Sequence, residues 1–157
     1  MDLDWVKQKR NKTLVRNNAK CSSSKPEKRA YEMLKEIYPD IVFHYTSDDY
    51  PWNCDFYVPS EDLYIEYHGF YYHNGKPYEG TEDDLDQVNK LKEKSKKLHK
   101  EWDVPLNKKI YPDTILYVWT DLDVRKRNHC KEHNINYLEL YNLKEVEEYI
   151  NRKKSTS

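Results

Sequence analysis

A chain of 157 residues, 35% charged and 37% hydrophobic, has room for one modest core. Its net charge of −1 excludes the overall basicity of a protein that coats nucleic acid. Three scattered cysteines without a CxxC pair exclude a disulfide framework, and no stretch approaches the roughly 20 apolar residues that cross a bilayer.

In chain order, residues 1–22 form a polar, basic arm or helix anchored only by Trp5, Val6, Leu14 and Val15. Residues 1–29 hold nine Lys/Arg against three acids. Ser24 then reads as a helix cap, with Pro26 in the first turn, Ala30, Leu34 and Ile37 at helical spacing, and Pro39 as the stop. Three strands follow at 41–46, 53–59 and 63–70, with Ser60-Glu61-Asp62 as a turn, which makes a β-meander. Residues 74–81 are a loop. Residues 82–101 form a polar helix with a thin stripe of Leu85, Val88, Leu91 and Leu98, and six lysines fall between 90 and 100. After an irregular stretch, "TILYVWT" (114–120) reads as a buried strand, 121–134 as a helix, 135–141 as a strand, and 142–154 as a closing helix capped by Asn142. The order is α-β-β-β-α-β-α-β-α, which predicts an α/β protein with a central mixed sheet flanked by helices.

The stretch "DFYVPSEDLYIEYHGFYYH" (55–73) sets polar groups among aromatic and β-branched residues. Asp55 and Glu66 lie on neighbouring strands, where side chains come within about 5 Å. Two carboxylates that close repel unless a cation joins them, so the pair predicts a hard-metal site, Mg²⁺ foremost. His68 follows Glu66 by two residues and shares its strand face. A metal beside an imidazole suits phosphodiester hydrolysis, since the metal acidifies the attacking water and the histidine takes its proton. A capping role for Glu27, a dipole role for Asp123 in a helix's first turn, and solvated faces for the charge runs are the structural alternatives.

An Asp followed by Glu-x-Lys on the next strand marks the PD-(D/E)xK nucleases. With histidine in the lysine position, this chain resembles their very-short-patch-repair (Vsr) branch and the related phage homing endonucleases with an "EDxHD" site. The likeness rests on "SKPE" with Glu27, "CDFYV" with Asp55, "IEYHGFYYH" with Glu66, His68 and His73, and Asp123 before the strand that starts at Ile135. It spans roughly residues 22–73 and 114–141. Residues 74–113 stand out as an insertion, Tyr72 replaces the usual Trp, and Phe70 replaces a zinc-binding cysteine, which makes zinc unexpected.

The resemblance implies a restriction-endonuclease-like core: a single nuclease-like domain over 23–154 with an insertion at about 74–113. It further implies a Mg²⁺-dependent endodeoxyribonuclease, with Mn²⁺ able to substitute. Asp55, Glu66 and the Tyr67 carbonyl would hold metal. Glu27, His68, His73 and Asp123 would complete the catalytic set. Double-stranded DNA would be contacted by Lys7, Lys9, Arg10, Lys12, Arg16, Tyr71, Tyr72 and Arg125. The expected setting is the cytoplasm of a bacterial cell or phage-infected host, with no membrane partner and with monomer and homodimer both open. The rival expectations are a nuclease-fold protein that binds nucleic acid or a protein partner without cutting, and a zinc module built on His68, His73 and Cys54 or Cys130.

Overall fold

The computed structural model of the chain describes residues 24–156. The arm, with Lys7, Lys9, Arg10, Lys12 and Arg16, lies outside them. No described helix is long and apolar enough to cross a membrane. The chain divides into two compact units: one combines the segment ending at Gly69 with the segment starting at His129, and the other is Phe70–Asn128.

The first unit holds the sheet. Helix α1, Lys25–Lys35, starts where the Ser24 hydroxyl accepts the Glu27 N–H at 3.2 Å, and it buries Ala30 and Leu34. Strands β1 (Val42–Tyr45), β2 (Cys54–Val58) and β3 (Leu63–Tyr67) form the expected antiparallel meander. A 3₁₀ turn at Pro59–Glu61 joins β2 to β3, with Asp62 in the left-handed region at φ 47°. Strand β4, Asn136–Leu140, lies parallel to β3, so the sheet runs β1-β2-β3-β4. Helix α5, Leu143–Ser155, closes the chain, and the Asn142 side chain caps it by accepting the Glu145 N–H at 2.8 Å. The architecture is mixed α/β, a four-stranded mixed sheet flanked by helices.

Register sorts the side chains. The pairs Phe56–Ile65 and Val58–Leu63 send apolar groups to one face, where they meet Ala30 and Leu34 of α1 and Val146 and Ile150 of α5. Fully burying each large aliphatic or phenyl group contributes about 1.5–3 kcal/mol, which makes this face the core. The other face is built largely from tyrosines. Tyr50, Cys54, Tyr64 and Cys130 are buried there, and Tyr45 stacks on Tyr57 with ring centroids 4.0 Å apart. Cys54 donates its thiol to the Phe56 carbonyl at 3.2 Å, as a buried core thiol does.

The second unit is helical. Helix α2, Glu82–Glu101, matches its expected bounds and is capped by Thr81. Its buried face differs from the expected leucine stripe: Leu85 is 49% exposed, whereas Asp84, Ser95 and His99 are buried. The inward polar groups are all paired. Lys76 and the Glu79 N–H hold Asp84, and Asp113 holds both Ser95 and His99.

The strand expected at 114–120 is a helix. Helix α3, Tyr111–Tyr117, continues through a π-helical turn, Val118–Leu122, into helix α4, Asp123–Glu132, whose last turn belongs to the first unit. Pro112, at the start of α3, can open a helix, and the Asp113 carboxylate accepts the Ile110 N–H at 3.0 Å. Pro112, Ile115 and Trp119 are buried at spacings of three and four, a helical period that the β-branched composition of the run obscured.

His99 presents both ring nitrogens to acceptors, Asp113 at 2.9 Å and the Val104 carbonyl at 3.0 Å. Both nitrogens donate only in the imidazolium, so these partners raise the His99 pKa above 6.5, with Asp113 the larger cause. Burial works against ionisation of Asp113, but Ser95, the Ile110 amide and His99 together lower its pKa below 3.8. The His99 contribution is complete below 6.5 and disappears as pH rises through the folded-state value; that of Asp113 is complete above 3.8 and disappears as pH falls through its folded-state value. Amide protection factors in the C-terminal half of α2, corrected for intrinsic exchange, are therefore expected to be highest between those limits, and His99→Gln should abolish their alkaline decline while leaving the acid limb.

Candidate metal centre

Alternation along β1 and β2 breaks at one place. Phe43 and Phe56 pack on the α1 face, yet Tyr45 and Cys54 pack on the tyrosine face. Between these registered pairs lie His44 and Asp55, and His44 sits in the left-handed region at φ 57°. That conformation is costly for a residue other than glycine, and such backbone is retained most often at functional sites. Its effect is to bring His44 and Asp55 to Glu27 of α1. One ligand atom from each of the three lies within 4.8 Å of the others.

Asp55 is fixed from the neighbouring strand. The registered β2–β3 pairs end at Phe56–Ile65, and the Asp55 carboxylate then accepts the Tyr67 N–H at 2.8 Å, where the ladder would otherwise continue. The other two groups are under-satisfied. Glu27 Oε1 and His44 Nε2 are buried and 3.5 Å apart, and neither has a hydrogen-bond partner among the described residues. Burial, and secondly the Asp55 charge, push the Glu27 pKa up from 4.5 to about 7. Burial also depresses His44, which keeps its imidazole neutral and able to bind a metal.

Two carboxylates and a neutral imidazole at this separation fit a divalent cation, which would satisfy the stranded Glu27 and His44 atoms together. The charged form of Glu27 would be the ligand, so metal and proton would compete. Mn²⁺ affinity measured by calorimetry should rise by up to about tenfold per pH unit below pH 7 and level off above it. In the metal-free protein, stability should decline as pH rises from 4.5 to about 7, because the fold disfavours ionised Glu27. Glu27→Gln should remove the decline in stability and cut the affinity slope to the part that His44 protonation contributes.

Glu66 takes a different place from the one its spacing suggested. It lies on the tyrosine face and accepts the Tyr50 hydroxyl at 2.9 Å, so Asp55 and Glu66 do not share a face. The break at His44 and Asp55 is the reason. Across the parallel register Glu66 is paired with Glu139. His68, just beyond β3, donates its backbone N–H to the Leu140 carbonyl at 2.7 Å. Its Nε2 lies 3.2 Å from Glu139 Oε1, and its ring packs on Tyr141. Glu66 and His68 thus do share a face, with Glu139 beside both. The two carboxylates and burial together raise the Tyr137 phenol, burial being the larger cause. Gly69 is required where the chain leaves the strand, because a Cβ there would lie 2.5 Å from the Tyr67 ring.

The remaining expected residues belong to the second unit. His73 ends a 3₁₀ turn, Tyr71–His73, and its Nδ1 lies 2.6 Å from Asp123 Oδ2 in α4, a carboxylate-oriented imidazole. Tyr71 is exposed and Tyr72 half-buried. Arg125 is held by the Asp121 carboxylate and the Tyr117 hydroxyl, each at 2.9 Å.

Sequence reasoning missed two residues, His44 and Glu139. Both interrupt apolar strands, in "VFHY" and "NYLEL", by the same signal that singled out Asp55 and Glu66. No family model, no curated protein and no solved structure matches this chain.

Proposed function

We propose that the protein is a metal-dependent endonuclease that hydrolyses phosphodiester bonds of double-stranded DNA, on a restriction-endonuclease-like core. The observation that carries this reading is the Glu27–His44–Asp55 group, with two buried ligand atoms that lack hydrogen-bond partners among the described residues and a carboxyl whose pKa is raised to about 7. Like charges assembled at that cost serve a cation better than they serve stability.

Glu27, His44 and Asp55 would hold the ion, and the imidazole favours Mn²⁺ over Mg²⁺ as the better-fitting metal. The bound ion would neutralise a phosphate oxygen and acidify the attacking water. The proton of that water would pass to solvent, because His68 lies with Glu66 and Glu139 on the other face. As the water oxygen bonded to phosphorus, the bond to the leaving oxygen would break, and that oxygen would take a proton from solvent water.

The test is a cleavage panel of duplex, mismatched, branched and single-stranded DNA, with RNA alongside, in Mn²⁺, Mg²⁺ or chelator. Metal-dependent cutting with mapped ends supports the reading. Binding that is indifferent to metal, without cutting on any substrate, replaces it with that of a non-cleaving binder.

A further inference from the structure

The second unit exposes three aromatic rings that the half-buried Tyr111 links into one run. Phe70, Tyr71 and Trp102 are 52%, 53% and 54% exposed. Their rings form a connected track: Phe70–Tyr71 at 4.6 Å, Tyr71–Tyr111 at 6.5 Å and Tyr111–Trp102 at 6.4 Å between centroids. Lys94 of α2 places its ammonium 5.3 Å from the Tyr111 centroid. Trp102 and Tyr111 flank the loop between α2 and α3, so much of this surface comes from the segment that the sequence set apart as an insertion.

Exposed aromatic area of this extent usually marks a binding site, and the chemistry on it separates two kinds of occupant. An apolar protein face would be met best by aliphatic groups with few charges. Here the rings are joined by a cation, and the same helix carries six lysines between 90 and 100. Rings plus ammonium groups match bases plus phosphates. A duplex keeps its base faces stacked inside, whereas an unpaired strand offers them.

We infer that the Phe70–Tyr71–Tyr111–Trp102 track, with Lys94, is a stacking surface for unpaired nucleotides, which gives the insertion the task of engaging single-stranded or opened DNA. The inference rests on the proposed action on nucleic acid but not on cleavage.

Fluorescence anisotropy of the full chain tests it, in chelator, with a fluorescein-labelled single strand of mixed sequence and with the same strand annealed to its complement. Trp102→Ala and Tyr111→Ala should each weaken single-strand binding about tenfold, leave duplex binding within about twofold, and preserve the thermal midpoint. Tyr111→Phe should keep wild-type affinity, because stacking needs the ring and not the hydroxyl. Lys94→Ala should reduce the salt slope for the single strand by about 0.7. Unchanged single-strand affinity in both alanine variants overturns the inference, as does an equal loss for duplex and single strand. A chain that cuts DNA but shows either result keeps the nuclease reading and loses this one. A chain that shows the expected binding pattern without cutting does the reverse.

Discussion

Asp55→Asn is expected to fold normally and to lose metal-dependent DNA cleavage by on the order of 10²–10³-fold. Asparagine is the discriminating substitution, because its carbonyl oxygen can still accept the Tyr67 N–H that the carboxylate takes at 2.8 Å. The backbone junction between β2 and β3 then survives while one of the three proposed ligands loses its charge. Asp55→Ala is expected to abolish cleavage as well, but it also strands the Tyr67 amide, at a cost of about 1–3 kcal/mol if water does not replace the carboxylate. A second readout needs no substrate. Removing the Asp55 charge removes the smaller of the two influences on Glu27, so its pKa should fall from about 7 and yet stay above 4.5, since burial persists. Carboxyl titration by NMR measures this. Cleavage by Asp55→Asn at the wild-type rate would sink the assignment of Asp55 to the site, and an unmoved Glu27 would mean that the two carboxylates do not interact.

Trp119→Ala should be the most damaging core substitution in the second unit, at about 3–5 kcal/mol. The indole is fully buried, meets Tyr78 edge-on at 5.0 Å and donates its N–H to the Lys76 carbonyl at 2.8 Å. One side chain therefore ties the π-helical turn to the loop before α2, and the same Lys76 reaches Asp84 at the start of that helix. Against a typical total of about 5–15 kcal/mol, a loss of this size leaves the unit marginal. Trp119→Phe keeps much of the packing and gives up only the bond to Lys76, so it should cost markedly less. Urea unfolding together with amide exchange in α2 and α3 checks both variants. An alanine variant with an unchanged midpoint and unchanged exchange would contradict the role given to Trp119.

Local chemistry made much of the fold readable. Ser24 and Asn142 are caps whose side chains bond where capping rules place them, and α2 begins at the residue after Thr81. The meander was legible because strands of alternating or continuous apolar residues are punctuated by Pro59 and Asp62. "TILYVWT" was misread for a definite reason: a short run rich in β-branched and aromatic residues satisfies strand and buried-helix patterns alike. The Pro112 start, the Asp113 bond to Ile110 and the burial of Ile115 and Trp119 decide for helix. The apolar stripe on α2 was incomplete for a related reason: Val88, Leu91 and Leu98 are half-buried and Leu85 is exposed, while hydrophobicity alone does not reveal that Asp84, Ser95 and His99 have partners waiting inside.

The sequence by itself determined the elements with clear caps and periods. It also singled out the polar residues set among apolar ones, Asp55, Glu66, His68 and His73, whereas Glu27 and Asp123 were reached through the family resemblance. Their grouping was left to the tertiary structure. Strand alternation is a two-residue rule, and it predicts shared faces only while the backbone keeps its extended conformation. A single left-handed residue, His44, breaks it opposite Asp55. The break carries Asp55 to Glu27 and His44 and leaves Glu66 with Tyr50 on the other face. Glu139 joins His68 only because β4 returns beside β3 in parallel register, 71 residues further along the chain. Contacts of that range depend on how the sheet closes, and no local spacing encodes them.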